Sequence, residues 1–336
     1  MHAGMRVRVL FHANCFDGAA SAALFTAFYR ERIDASAEFA YTGMHHTMGD
    51  PFPPGCMDGA ENVCVDFRYN ASPKLTWWFD HHVSAFMSPA DEATFQTRPK
   101  DRFFFDPQSR SCTKFLVERA ATVHGWDASR FEELVYWADI IDGAQFPSAQ
   151  AAVEMAEPAL RLMTWIENNK DPALAERYIA DLLRLPLAEI VALPYVAEPV
   201  ARLLASNQGA VDIWRNRSRA QDGVVFADVS EDAVESANKF IPYFLHPECR
   251  YAVSVSKTAT RSKVSIGSNP WSDIPRSVNI AQICERYGGG GHPVVGAISL
   301  GGGDIVRARE IAGEVVEELR RAALAEVSAA GRPRSG

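Results

Sequence analysis

Three short apolar runs, each closing on a polar cluster, constrain this chain more than any other feature. Arg6–Phe11 (RVRVLF) runs into His12, Asn62–Phe67 (NVCVDF) carries Asp66 near its end, and Leu75–Phe79 (LTWWF) runs into Asp80-His81-His82. Apolar runs of this length, rich in β-branched and aromatic residues, read as strands buried on both faces, the pattern of a parallel sheet covered by helices. Ligands of open α/β sheets collect beyond the carboxyl ends of the strands, so the three polar clusters are expected to share one crevice. A small-residue segment of good helix formers, Asp17–Arg30, follows the first run, and Ala37–Tyr41 offers a further strand.

From about Ser111 to Arg217 the pattern turns helical, over Cys112–Val123, Phe131–Ile141, Ala149–Asn168 and Val196–Arg217. The polar stretch Ser218–Gly223 reads as a linker. Beyond it come a strand Val224–Val229, a helix near Ser236–Leu245, strands Tyr251–Ser256 and Lys263–Gly267, a helix Val278–Tyr287, a strand Val295–Leu300 and a helix Ile305–Glu326. The expectation is therefore a doubly wound, mostly parallel α/β domain over residues 1–217, a linker at 218–223, a smaller α+β domain over 224–328 and a disordered tail at 329–336. A length of 336 residues suits two such units.

Acidic residues outnumber basic ones by 42 to 34, a net charge of −8, which excludes coating duplex DNA by bulk charge and leaves only local contacts with nucleic acid. The six cysteines form no C-x-x-C pair and read as reduced thiols of a cytoplasmic protein, without a zinc knuckle or a disulfide framework. No apolar stretch approaches the ~20 residues that span a bilayer, and no signal-peptide core opens the chain, so no membrane partner is expected.

Two imidazoles and a carboxylate at a strand end suit Mn2+, Fe2+ or Zn2+, although Asp80-His81-His82 alone also fits a polar turn. An ionised Asp66 at the end of an apolar strand costs solvation energy unless it is paired, hydrogen-bonded or metal-bound. Singly, Asp66 reads as a cap and His12 as a strand-edge histidine; jointly they favour one shared metal site. Cys15 and Cys64 are soft donors in principle, with Cys64 better read as core. Gly288–Gly291 lies between a helix and a strand, where N–H groups without Cβ atoms form either an anion nest or a helix C-cap. His292 adds a donor beside it. Trp77-Trp78 reads as sheet core with one indole on each face. His45-His46, in the loop Gly43–Gly55, reads as surface loop or as an accessory phosphate contact. Ser109 and Ser111 read as helix caps, while Arg110, Ser268, Asn269 and Arg276 are further candidates for substrate contact.

These motifs, in order between residues 10 and 300, resemble the DHH phosphoesterase superfamily, whose triplet is seen here as Asp80-His81-His82. The run Tyr287–Gly296 (YGGGGHPVVG) resembles the glycine-rich signature of the DHH-associated C-terminal domain, and Val264–Trp271 is similar to the oligoribonuclease and exopolyphosphatase-like branch. The resemblance implies one or two divalent ions, usually manganese, with magnesium or another divalent metal as alternatives. It implies metal ligands at His12, Asp17, Asp66 and His81, with Asp66 bridging. A further ligand falls at Asp139 or Asp142, Asp139 being favoured by the small-residue-Asp pattern. His82 would face the substrate phosphate, Asp80 would orient the imidazoles, and Gly289, Gly290, Gly291, His292, Asn269 and Arg110 would contact substrate. One departure matters: the first motif has a single aspartate, Asp17, preceded by Asn14, Cys15 and Phe16, which weakens one metal position unless Asn14 serves as a neutral oxygen ligand. The implied activity is hydrolysis of a phosphodiester or terminal phosphate of a short single-stranded oligonucleotide or small nucleotide by metal-activated water. Hydrolysis of polyphosphate, pyrophosphate, cyclic dinucleotides or 3′-phosphoadenosine 5′-phosphate, and a nucleotide-binding module that lost catalysis, are the alternatives. A homodimer is compatible with all of these.

Overall fold

The computed structural model describes residues 5–46, 50–232 and 238–330. The chain divides into two compact units, the first comprising residues 1–146 and 156–201 and the second 147–155 and 202–336. In the first, strands β1 (Arg6–His12), β2 (Glu38–Met44), β3 (Glu61–Val65), β4 (Trp77–Asp80) and β5 (Phe103–Phe105) form one sheet in the order β2-β1-β3-β4-β5, with every pairing parallel. Helix α1 (Phe16–Arg32) connects β1 to β2, α2 (Pro89–Gln96) precedes β5, and α3 (Cys112–His124) and α4 (Glu132–Asp142) follow it. The helix α5 (Ala149–Glu154) belongs to the second unit, whereas α6 (Pro158–Asn168), α7 (Ala175–Leu182) and α8 (Leu187–Ala192) return to the first.

Helix α1 is apolar all round and rich in alanine, so it can be enclosed on every side. It is buried continuously from Phe16 to Tyr29 and packs on β1, α3, α4, α6 and α7. The two tryptophans of β4 point to opposite faces as the strand period demands: Trp77 meets Phe25, Phe28 and Tyr29 of α1, and Trp78 meets Tyr69, Phe86, Phe95 and Phe105. Both indoles are core rather than stacking platforms, and Cys64 is fully buried in β3.

Helix α9 (Pro194–Arg217) carries the division between the units, which falls at residues 201 and 202. The second unit is a six-stranded sheet in the order β10-β11-β9-β8-β7-β6, built from β6 (Ser218–Gln221), β7 (Val224–Asp228), β8 (Tyr251–Lys257), β9 (Arg261–Ser268), β10 (Gly290–His292) and β11 (Val295–Gly301). Only β7 and β8 pair in parallel. Helices α10 (Ile241–Leu245), α11 (Ile280–Glu285) and α12 (Ile305–Ala330) complete it. Ala308, Ile311, Ala312, Val315, Leu319 and Ala323 recur at helical spacing along α12 and bury that face on the sheet. Near its end Glu326 is buried and accepts hydrogen bonds from Arg250 Nε (2.7 Å), Tyr251 Oη (2.7 Å) and Ser277 Oγ (2.6 Å).

Four expectations are corrected here. Ser218–Gly223 is no linker: Ser218–Gln221 is strand β6, paired antiparallel with β7 through the turn at Asp222-Gly223. A polar sequence suits an edge strand, where charge and polarity discourage further pairing. The expected helix over Ala149–Asn168 is two helices, broken where Met155 turns left-handed (φ 48°) and Pro158 begins α6. Half of the glycine run is strand β10. Of the tail expected at 329–336, residues 329 and 330 complete α12, and 331–336 lie outside the described residues. Part of the helix expected near Ser236–Leu245 likewise lies outside them; α10 is its described portion. No helix among the described residues is long and apolar enough to cross a membrane.

Candidate metal centre

The strand order 2-1-3-4-5 puts the topological switch point between β1 and β3, and it is beyond the carboxyl ends of the strands at such a point that ligands of open α/β sheets bind. His12 ends β1, Asp66 follows β3 directly, and Asp80-His81-His82 ends β4. The chain turns sharply to present them: Asn14 and Asp66 both adopt left-handed backbone (φ 54° and 55°), which Asn and Asp tolerate best among residues with side chains. Gly18 lets the first turn of α1 approach β1, since a Cβ there would run into the carbonyl oxygen of His12.

Asp66 is the hub. It is 1% exposed, with His12 Nδ1 at 3.4 Å and His81 Nε2 at 3.5 Å from its carboxylate and His82 Nδ1 at 3.9 Å. Burial pushes its carboxyl up, but the adjacent His12 and His81 imidazoles and the charge of His82 outweigh this and hold it well below the usual carboxylate range. His81 Nε2 also lies 3.4 Å from Asp142 Oδ2 and 3.8 Å from Asp17 Oδ2. Its Nδ1 donates to the Ser109 carbonyl at 2.9 Å, which fixes the tautomer and leaves Nε2 to the cluster, the arrangement usual for a metal-ligating histidine. Burial lowers the proton affinity of His81, yet Asp66, Asp17, the Ser109 carbonyl and Asp142 together push its pKa up to about 10. Burial and the charge of Asp66 raise Asp142 to about 6, and burial with Asp66 and Asp142 raises Asp17.

Asp17 has a second employment. Its carboxylate accepts the backbone N–H of Cys112 at 2.6 Å and of Thr113 at 2.9 Å, the first donors of α3, while Ser111 caps the same helix end. Asp80 accepts from His82 Nδ1 at 2.7 Å and from the backbone N–H of His81 at 2.9 Å, so it orients the pair without entering the cluster. Burial lowers the proton affinity of His82 and the contact with Asp80 more than restores it, leaving a raised pKa.

The donor set fits divalent ions. Ligand atoms of His12, Cys15 and Asp66, of Asp66, His81 and His82, and of Asp17, His81 and Asp142 lie within 4.8 Å of one another in each group. His12 Nδ1, both oxygens of Asp66 and His81 Nε2 are buried without a hydrogen bond of good geometry. Such atoms cost about 1–3 kcal/mol each when left unsatisfied, a penalty that coordination of a cation removes.

Of the remaining expected site residues, several are engaged elsewhere. Asp139, favoured over Asp142 in the sequence, pairs with Arg110 (2.9 Å) and Lys114 (3.3 Å), whereas Asp142, one turn further along α4, reaches His81. Arg110 is occupied by Asp139 and Gln145. Asn269 spends its amide on the carbonyls of Pro247 and Cys249 and accepts from the Trp271 N–H, so it braces a turn. Asn14 spends its side-chain amide on the carbonyls of Ile166 and Asn169. Gly288 and Gly289 spend their N–H groups on the last carbonyls of α11, at 3.0 and 2.9 Å, so they form a C-cap rather than a nest. Gly290, Gly291 and His292 are exposed on the edge strand β10.

Two residues beside the cluster drew little or no notice in the sequence. The His46 ring stacks on Phe67 with centroids 4.8 Å apart and stands edge-on to His12, also at 4.8 Å, while Arg68 reaches His46 Nδ1 at 3.3 Å. Burial, with His12, Arg68 and His82 close by, lowers the pKa of His46. The one available signal was a basic residue two positions after the strand-terminal Asp66.

No protein-family model and no curated protein sequence matches the chain. Among solved structures it is similar to the pGpG-specific phosphodiesterase PggH of Vibrio cholerae, with a TM-score of 0.68 and 18% identity over 95% of this chain and 99% of that one. It is also similar to RecJ of Thermus thermophilus in complex with Mn2+, with a TM-score of 0.50 and 13% identity over 94% of this chain and 52% of that one, so it spans about half of RecJ. With the ordered motifs from His12 to Gly296, this likeness gives the chain the fold of the DHH phosphoesterases.

Proposed function

We propose that the chain is a divalent-metal-dependent phosphoesterase that hydrolyses phosphodiester or terminal phosphate bonds of short oligonucleotides or small nucleotides, with manganese or magnesium as its ion. The observation that carries this reading is Asp66: a buried carboxylate at the switch point of the sheet, with both oxygens open and ringed by His12, His81 and His82. His12, Asp17, Asp66, His81 and Asp142 would hold the metal. A bound divalent ion supplies Lewis-acid polarisation of phosphoryl oxygens and acidifies water toward neutral pH.

The chain's own residues do the rest. Ser109 and Asp80 fix the two imidazoles of the triplet in opposite roles, His81 turned inward to the carboxylates and His82 left with Nε2 for the substrate. Asp80 favours the protonated form of His82, which suits it to donate a hydrogen bond to a phosphate oxygen or a proton to the departing oxygen. Similarity of fold to a pGpG phosphodiesterase supports a linear dinucleotide as the first substrate to test. Metal-free protein is incubated with Mn2+ or Mg2+ and a panel of linear dinucleotides, short single-stranded oligonucleotides, cyclic dinucleotides, 3′-phosphoadenosine 5′-phosphate and polyphosphate. Hydrolysis of a linear dinucleotide that is lost on chelation and in Asp66→Asn is the expected result. Stoichiometric ion binding without turnover of any member overturns the catalytic reading.

A further inference from the structure

We propose that Cys15 is a thiolate ligand of the first metal position, so that the two halves of the cluster prefer different ions; this rests on the metal-dependent reading above. Cys15 is half-buried at the N-cap of α1, three residues after His12, and its sulfur falls within 4.8 Å of the donor atoms of His12 and Asp66. The independent sign of a ligand at this point is Asp66, 1% exposed and with neither oxygen hydrogen-bonded in good geometry, together with the buried, unsatisfied His12 Nδ1. A sulfur beside an imidazole and a carboxylate forms a mixed donor set that suits the zinc class, Zn2+, Co2+ or Fe2+. The other half, Asp17, His81 and Asp142 with Asp66 shared, offers mostly carboxylate oxygen, which suits Mn2+ or Mg2+.

The helix position helps, because negative charge at the first turn of a helix is favoured by the backbone dipoles. Burial and the carboxylates of Asp66, Asp17 and Asp142 push the Cys15 thiol up. Ion binding replaces the S–H bond by a sulfur–metal bond and releases the proton to solvent. Thus the missing carboxylate of the first motif is replaced by a softer anionic donor, and the first position is retuned rather than lost.

Cobalt tests this, because thiolate coordination gives a near-ultraviolet sulfur-to-cobalt charge-transfer absorption that oxygen and nitrogen ligands do not. Metal-free full-length protein is titrated with Co2+, with bound ion counted by elemental analysis. The expected result is a charge-transfer band in the wild type and in Cys56→Ser, and none in Cys15→Ser or Cys15→Asp. Melting curves of both Cys15 variants confirm that they fold. The preference for Zn2+ over Mn2+ at the first position is expected to fall by about 10–100-fold in Cys15→Asp, at least the effect of losing an outer-shell partner. Bound cobalt without the band, or a band that persists in Cys15→Ser, overturns the assignment of Cys15 while leaving the phosphoesterase reading intact. Failure of the wild type to bind any divalent ion overturns both.

Discussion

Asp142→Asn set against Asp139→Asn is the sharpest probe of the centre, because the two carboxylates sit one turn apart on α4 and have different partners. Asp142 Oδ2 lies 3.4 Å from His81 Nε2, within a group of donor atoms no more than 4.8 Å apart. Two unit charges at that separation interact by about 3.5 kcal/mol at an effective dielectric of about 20, and about 1.4 kcal/mol corresponds to tenfold in affinity. Asp142→Asn should therefore weaken binding of a divalent ion roughly 100- to 1,000-fold. Asp139 instead pairs with Arg110 and Lys114, whose cationic groups are more than a third exposed while the Asp139 carboxylate itself is buried, so its loss should be felt in stability and not in ion affinity. Asp139→Asn should leave ion affinity within about threefold and lower the melting temperature. Metal-free proteins titrated with Mn2+, with free ion read by its electron paramagnetic resonance signal, give both numbers directly. Equal losses, or a larger loss in Asp139→Asn, would refute the assignment of Asp142.

Three further outcomes are expected. Since His81 is held protonated up to about pH 10 and coordination needs neutral imidazole, ion binding expels its proton; affinity should climb with pH between 6 and 8, by up to about tenfold per unit, and calorimetry in buffers of different ionisation enthalpy should register the released proton. A pH-independent affinity would contradict this. Glu326→Ala leaves Arg250 buried without its carboxylate and should cost about 3–5 kcal/mol in urea unfolding. Burial raises the Glu326 carboxyl, but Ser277, Tyr251 and Arg250 outweigh it and depress the folded-state value; the stabilisation is therefore present above the ordinary glutamate pKa and lost as pH falls, so the mutant and wild-type curves should converge in acid. Gly18→Ala drives a Cβ into the His12 carbonyl, and the backbone shift should cost about 1–3 kcal/mol of stability together with ion affinity, both measurable on the same sample.

The first sheet was legible because its central strands are buried on both faces, so apolar runs mark them and the first polar residue marks their ends. His12, Asp66 and His81 are legible for the same reason: each stands at or just beyond the end of such a run. Strand β5, three phenylalanines long, is too short for any periodicity to register. Strands β6 and β10 escaped because edge strands are built from polar residues and glycine, whose local preferences point to turns. The choice between Asp139 and Asp142 turned on where the end of α4 meets His81, a long-range fact with no local trace. The partners of Asn269, Arg110 and His46 lie 20 to 35 positions away in sequence, so their contacts leave no local trace.

The carboxylate of Asp17 holds down the start of α3 as well as facing the cluster. A scan of the site by alanine would therefore score Asp17 as the most essential residue for the wrong reason, since the helix end would come loose along with the charge. Asparagine keeps an acceptor for one of the two N–H groups, and the difference between the two substitutions separates scaffolding from coordination. Conversely, a cation drawn to this carboxylate should be felt along α3 as slowed amide exchange at Cys112 and Thr113, giving a reporter of occupancy that needs no substrate.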